Sequence, residues 1–432
     1  MSSRVVKWLF LASLFLLVFP VAAGASTARV EGMAIQGDYI KDYTGIYTYL
    51  SNVCCVGNLV YGELGNTVTL FGSDPEFGEP MSANFSDRGM GAVLGNLWDG
   101  RYGTWAIHIR ELTPQLGQGS TTSGTGPGFG GGDPNTNTNQ SFDLMWGKKF
   151  GTTSIGLDFN RSSGRVEMAP LDLKSDVFNF DQFIMFDLFD PNFRRNVLGF
   201  GGGLGFEMTP KATLEASFLY QSRTFEWTEG SQSYESDGPT TYQIAARAFW
   251  QWQPNVVVVP VVKYYSFDLS TKGDSVFTVN NNGELQDASL KGWQVGLAGN
   301  WTLGSNDLFV LGLTLANNKI ENTPKSGTTS TVTESIQPQV FAALETQVNS
   351  WLTLRMGANK GVFYSQKVES GGTTDLEASG SPFTMSLGAG IKLSTLQLDA
   401  TLSQDFPHNM PFFISGAETS NMFPKVSATY SF

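Results

Sequence analysis

Apolar and polar residues alternate in steps of two along most of this chain. Phe383, Met385, Leu387, Ala389, Ile391 and Leu393 oppose Thr384, Ser386, Gly388, Gly390 and Lys392. Leu396, Leu398, Ala400 and Leu402 then oppose Gln397, Asp399, Thr401 and Ser403. Successive side chains of a strand point to opposite faces, so each run predicts a strand with one apolar and one polar face. Comparable runs lie near 58–72, 90–98, 102–112, 141–149, 152–161, 196–208, 211–223, 240–253, 255–268, 288–303, 306–319, 333–348 and 351–364. Many exceed the ~5–6 residues of an ordinary globular strand.

The connections fall into two kinds. Short turns sit at 99–101, 149–151, 209–210, 254, 304–305, 349–350 and 394–395. Long segments near 73–89, 113–140, 162–195, 224–239, 269–287, 320–332, 365–379 and 404–421 alternate with them. Tight turns on one rim and long loops on the other are the asymmetry of a membrane barrel. The expected fold is therefore all-β: a transmembrane antiparallel up-and-down barrel of about sixteen strands, with about fourteen as the alternative. Trp98, Tyr102, Trp252, Trp301, Trp351 and Phe432 lie beside the short turns, and Tyr220, Tyr264, Phe267 and Phe363 lie toward the long loops. Such rings favour the two membrane interfaces, so two aromatic girdles are expected.

Residues 422–432 read Met-Phe-Pro-Lys-Val-Ser-Ala-Thr-Tyr-Ser-Phe, with Val426, Ala428, Tyr430 and Phe432 on one face. This ending resembles the closing strand of Gram-negative outer-membrane β-barrels of the porin-like kind. The resemblance implies that Phe432 and Tyr430 belong to the signal read by the barrel assembly machinery. At the other end, Arg4 and Lys7 precede an apolar run over 8–23, and Ala-Gly-Ala at 23–25 fits the cleavage pattern of a secretory signal peptide. The expected organisation is a signal peptide over 1–25, a periplasmic or lumenal segment over 26–56 and a barrel over 57–432, in the cell outer membrane. Asp38, Tyr39, Asp42, Tyr43, Tyr47 and Tyr49 make the second of these a polar-aromatic run, tucked into or under the periplasmic mouth. FadL-like transporters of hydrophobic compounds plug the lumen with a segment in this place. They carry Asn-Pro-Ala where this chain has Ile-Tyr-Thr-Tyr-Leu at 46–50.

Charged residues are only 15% of the chain, below the ~25% of soluble domains. The net charge of −12 argues against a nucleic-acid partner. Lipid is the expected partner of an apolar belt, and the charge does not oppose it. Cys54 and Cys55 are the only cysteines, and they are adjacent. Two reduced side chains or a local vicinal bridge are expected of them ahead of a redox or metal role.

If the apolar faces meet lipid, the opposite faces line the lumen. That makes His108, Arg110, Asp143, Asp158, Glu207, Glu215, Arg247, Arg355, Lys392 and Asp399 pore-lining candidates, with Lys425 beside them. A charge at the bilayer midplane costs about 2–4 kcal/mol for Arg or Lys, which drives these groups inward. They serve either as an internal salt-bridge lattice or as a selective polar path. His108 and His408 are the only histidines. No nucleophile–base or metal-ligand constellation accompanies them, so neither an enzyme, a metal nor a cofactor is expected. Gly-Phe-Gly-Gly-Gly-Leu-Gly at 199–205 has a GxGxxG-like spacing. A strand continues after it where a phosphate cradle needs a helix. Gly201, Gly203 and Gly205 instead leave the inner wall bare for a loop or the N-terminal segment. The loop over 162–195 interleaves phenylalanines with Asp176, Asp181, Asp187 and Asp190 before Arg194 and Arg195. Folded inward, it would constrict a pore. The expected function is a passive channel for small hydrophilic solutes. The alternatives are a FadL-like transporter, or a structural sleeve holding a protein partner in its lumen, such as a periplasmic electron carrier.

Overall fold

The structure, a computed structural model, describes residues 26–69, 84–95, 100–110, 140–167, 192–229, 232–237, 240–268, 270–273, 286–304, 306–324, 329–402 and 425–432. The expected signal peptide and the four aspartates of the expected constriction loop lie outside them. Strand segments account for most of the described chain. In order they are β1 (Leu59–Thr69), β2 (Asn84–Leu94), β3 (Thr104–Arg110), β4 (Gln140–Phe150), β5 (Thr153–Glu167), β6 (Asn192–Thr209) and β7 (Ala212–Glu229). Then come β8 (Gln232–Ser236), β9 (Thr240–Gln253), β10 (Val256–Asp268), β11 (Thr271–Gly273), β12 (Gln286–Leu303), β13 (Asp307–Pro324) and β14 (Ser330–Gln347). The last are β15 (Leu352–Gly361), β16 (Tyr364–Ser370), β17 (Thr373–Gly380), β18 (Phe383–Leu393), β19 (Leu396–Leu402) and β20 (Lys425–Ser431).

Every pairing is antiparallel, and β1 pairs with β2 on one side and β20 on the other. The sheet is therefore closed. Of the twenty segments, β8 and β11 are short and pair with each other; the remaining eighteen (20 − 2) build the barrel. The two segments beyond the expected sixteen come from residues 365–379, expected as a long loop but mostly a hairpin, which lengthens two strands of the wall without adding any round its circumference. β16 pairs with β14 and β17, so it prolongs β15, and β17 runs on into β18. The breaks fall beside Pro338 and Pro382, which cannot donate to a ladder. There the N–H of Val362 donates to the Pro338 carbonyl (2.8 Å) and that of Gly361 to the Pro382 carbonyl (2.9 Å). The expected loops over 224–239 and 320–332 are shorter than read, because β7, β13 and β14 run on past the expected strand ends.

Alternation sets the two faces. Val262, Val295, Leu297, Leu311, Leu354 and Met356 are exposed on the outside. Such a continuous apolar surface belongs against lipid rather than water. No described helix is long and apolar enough to cross a membrane. Tyr102, Trp252, Trp351 and Phe432 are exposed near the short-turn rim, and Tyr264 and Phe363 toward the other. Phe267 is a correction: it is buried inside with Leu219 and Leu290. It stands three residues from Tyr264, and an unbroken strand puts positions an odd number apart on opposite faces.

The outer face gives a first testable outcome. Val295 stands mid-strand between Val262 and Leu315. Val295→Arg should cost about 2–4 kcal/mol, read by urea unfolding in lipid vesicles. An unchanged midpoint would mean that this face does not contact lipid.

Candidate functional site

The lumen holds the chain's own residues 26–57. Ser26 caps α1 (Thr27–Gly32), its hydroxyl accepting from the Arg29 N–H at 3.2 Å. Three 3-10 turns follow, at Gly37–Tyr39, Tyr43–Tyr47 and Leu50–Cys55. Asp42 caps the second, accepting from the Gly45 N–H at 3.2 Å. Gly32, Gly37 and Gly45 and the many aromatics deny this stretch a long helix. Irregular backbone at membrane depth needs partners in the wall, and the wall supplies them. Asn300 donates to the Tyr39 carbonyl at 2.7 Å, Asn359 to that of Ala34 at 3.1 Å, and Thr401 to that of Ala28 at 3.0 Å. Ser217 donates to the Thr48 carbonyl.

Buried charge joins segment and wall in two clusters. In the first, Arg29 binds Glu345 through two bonds of 2.7 Å. Glu345 also accepts from Arg355 at 2.5 Å, and Arg355 reaches Asp399 at 2.7 Å. Asp399 in turn accepts from Ser26 at 2.9 Å. Beside it Lys425 meets Glu31 at 3.0 Å, and Glu63 accepts from the Tyr43 hydroxyl at 2.8 Å. In the second cluster Arg247 pairs with Glu215 at 2.7 Å. The same guanidinium donates to the carbonyls of Gly37 (3.2 Å), Asp38 (2.8 Å) and Ile40 (3.3 Å). It lies 3.9 Å from the Tyr49 ring centroid. Asn52 donates to Glu215 at 3.0 Å, and Lys263 meets Asp38 at 2.6 Å. Burial pushes the Tyr39 phenol up to about 12. It raises Tyr43 and Tyr49 well above the ordinary value, so these phenols act as neutral hydrogen-bonding groups.

Apolar packing fills the space between. Met33, Ile35, Tyr39 and Ile40 pack with Val259, Val310 and Phe341 of the wall. Tyr43, Ile46, Tyr47 and Val53 do so with Leu59, Tyr61, Val93 and Met145. Where the segment comes nearest, the wall is glycine. A Cβ at Gly156 would fall on the Leu50 carbonyl, one at Gly357 on the Met33 carbonyl, and one at Gly296 on the Tyr39 hydroxyl. A Cβ at Gly203 would stand 2.8 Å from the Ser51 nitrogen, and one at Gly201 2.5 Å from a Leu50 methyl.

Of the residues singled out from sequence, His108, Asp143, Glu215, Arg247, Arg355, Asp399 and Lys425 are buried inside the barrel. The fold brings together Glu215 with Arg247, Arg355 with Asp399, and His108 with Asp143 at 3.6 Å. Asp158 faces inward and is half-buried. Glu207 and Lys392 are exposed near the short-turn rim, Glu207 beside Lys149. Arg110 holds its place in β3, but its side chain is outside the described part. Tyr430 and Phe432 are exposed with rings stacked 6.1 Å apart. Among the described residues no group of three or more His, Cys, Asp or Glu could hold a metal ion. Sequence reasoning passed over Glu63, Lys263 and Glu345, which share the inward parity of the residues it chose. It also passed over Arg29 and Glu31, and it took Asp38 only as part of a polar-aromatic run; all three lie outside any alternating run.

These features define a closed membrane-type β-barrel whose lumen is occupied by its own N-terminal segment. No family model and no curated protein matches the chain. Similar solved structures are outer-membrane barrel proteins. The alcaligin outer membrane receptor FauA from Bordetella pertussis has a TM-score of 0.44 and 9% identity, over 80% of this chain and 60% of that one. A Pseudomonas aeruginosa FadL homologue has a TM-score of 0.38 and 11% identity, over 94% and 98%. The CymD monoaromatic hydrocarbon channel has a TM-score of 0.35 and 11% identity, over 95% and 98%. The chain thus spans about three fifths of the receptor's length. The fold assignment rests on the strand pairing.

Proposed function

We propose that this protein is an outer-membrane channel held shut at rest by residues 26–57. On this reading a signal peptide exports the chain, the short-turn rim faces the periplasm, and the solute is small and hydrophilic. The observation that carries the reading is the ring of wall contacts to that segment, from Glu63 and Lys425 round through Glu215, Arg247 and Lys263 to Glu345 and Asp399. The buried inward charges pair with the segment or with each other, so solute can pass only when the segment shifts. An always-open pore would leave such groups facing water. A transporter of hydrophobic compounds is the second reading, and the apolar packing of the segment against the wall favours it. A sleeve for a protein partner needs lumen that the chain itself fills.

Planar-bilayer recording tests the proposal. The intact chain should be silent or open only in brief bursts, and deletion of residues 27–56 should give a steady conductance. A barrel of this width has room for water once emptied. If the intact and deleted proteins conduct alike, the segment is not a gate and the reading fails.

A further inference from the structure

The lumenal segment ends on the adjacent pair Cys54 and Cys55, at the junction with β1. The two Sγ atoms are 2.8 Å apart, and both residues are reduced. Their environments differ. Cys54 is half-buried and its thiol donates to the Ser51 carbonyl at 3.3 Å, closing the last turn of the segment. Cys55 is exposed. The wall approaches here too, since a Cβ on Gly147 would stand 2.7 Å from the Cys54 nitrogen. The contact between the two sulfurs, with help from the Lys149 charge, draws the Cys55 thiol down to about 7, while the same contact and burial raise Cys54. An accessible attacking sulfur and a shielded neighbour within reach are the two parts that thiol–disulfide exchange requires.

We propose that Cys54 and Cys55 form a site of reversible disulfide exchange with an external disulfide, of a protein thiol oxidant or of oxidised glutathione. The Cys55 thiolate attacks one sulfur of that disulfide, breaking its S–S bond and releasing the first thiol. The Cys54 thiolate then attacks the Cys55 sulfur, and the second external thiol departs. Two electrons pass from the pair to the external disulfide, whose two sulfurs leave with the two protons. The product is an eight-membered ring. Consecutive Cα atoms stand about 3.8 Å apart across a trans peptide, short of the about 4.4–6.8 Å of ordinary disulfides. The ring is therefore strained and easily reduced, and its formation removes the Cys54 bond to Ser51. The site is a labile redox mark on the turn that joins the lumenal segment to the wall, and it stands whether or not that segment gates the barrel.

Mass spectrometry of the full chain in detergent tests this. After incubation with oxidised glutathione and acid quenching, maleimide should label neither cysteine. Mild dithiothreitol should then expose both, giving two adducts per chain. Cys54→Ser should stop the reaction at one glutathione bound to Cys55. The proposal is overturned if both cysteines of the glutathione-treated chain take maleimide directly. It is equally overturned if Cys54→Ser acquires no glutathione.

Discussion

Arg247→Ala should convert a silent barrel into a conducting one. Arg247 is buried to 1% exposure and has three kinds of partner. It neutralises Glu215 at 2.7 Å, donates to three carbonyls of one turn of the lumenal segment, and lies over the rings of Tyr49 and Phe249. Removing one member of a buried pair costs about 3–5 kcal/mol, because the other charge stays behind uncompensated. Here the chain has a local way to recover that energy. If the segment leaves the wall, water reaches Glu215 and the carbonyls of Gly37, Asp38 and Ile40. Since each ~1.4 kcal/mol is tenfold, the balance between seated and displaced segment should move by about 100-fold or more. Bilayer recording of Arg247→Ala should show frequent long openings. Arg247→Lys should rescue only in part, because an ammonium lacks the flat fork that reaches carboxylate and carbonyls together. Adding Glu215→Gln to Arg247→Ala should return much of the closure, since the stranded charge is gone. Silent records from Arg247→Ala, with an unchanged melting temperature, would remove this contact from the gate.

How far the sequence discloses this arrangement depends on period. The wall is legible because a two-residue repeat has only two phases. Once Val60, Gly62 and Leu64 are assigned outward, Glu63 must point inward, and it does. The same logic places Glu215, Arg247 and Asp399, each buried in the lumen. The lumenal segment has no such period. Its turns exist because side chains from distant strands satisfy their carbonyls, and the Arg247 partners Gly37 and Asp38 are 210 and 209 residues away in sequence. No local window contains that information. The two strand segments beyond sixteen have a related cause. Residues 365–379 are polar enough to read as a loop, and their strand character comes from pairing with β14 and with each other. What sequence did disclose about the segment is its imprint on the wall, the bare glycines of β6.

Those glycines permit a sharper test than a charge does. Gly202 and Gly203 are neighbours in β6, so one faces lipid and the other the lumen. A Cβ on Gly202 meets nothing within 4 Å, whereas one on Gly203 would stand 2.8 Å from the Ser51 nitrogen and 3.1 Å from that of Leu50. Backbone atoms cannot rotate aside as a side chain can, so the turn at Leu50–Cys55 must shift as a whole. Gly203→Val should therefore displace that turn, at a cost of about 1–3 kcal/mol typical of overpacking. The expected signs are a higher open probability and faster proteolysis of residues 26–57. Gly202→Val places the same isopropyl group on the same strand one residue away and should behave as the unaltered protein does. A third variant separates gating from damage to the barrel. In a chain lacking residues 27–56, Gly203→Val has nothing to strike and should leave conductance unchanged. If it lowers the stability of that shortened barrel as much as that of the whole chain, the glycine serves the strand itself. The moulded fit between wall and segment would then have no part in closure.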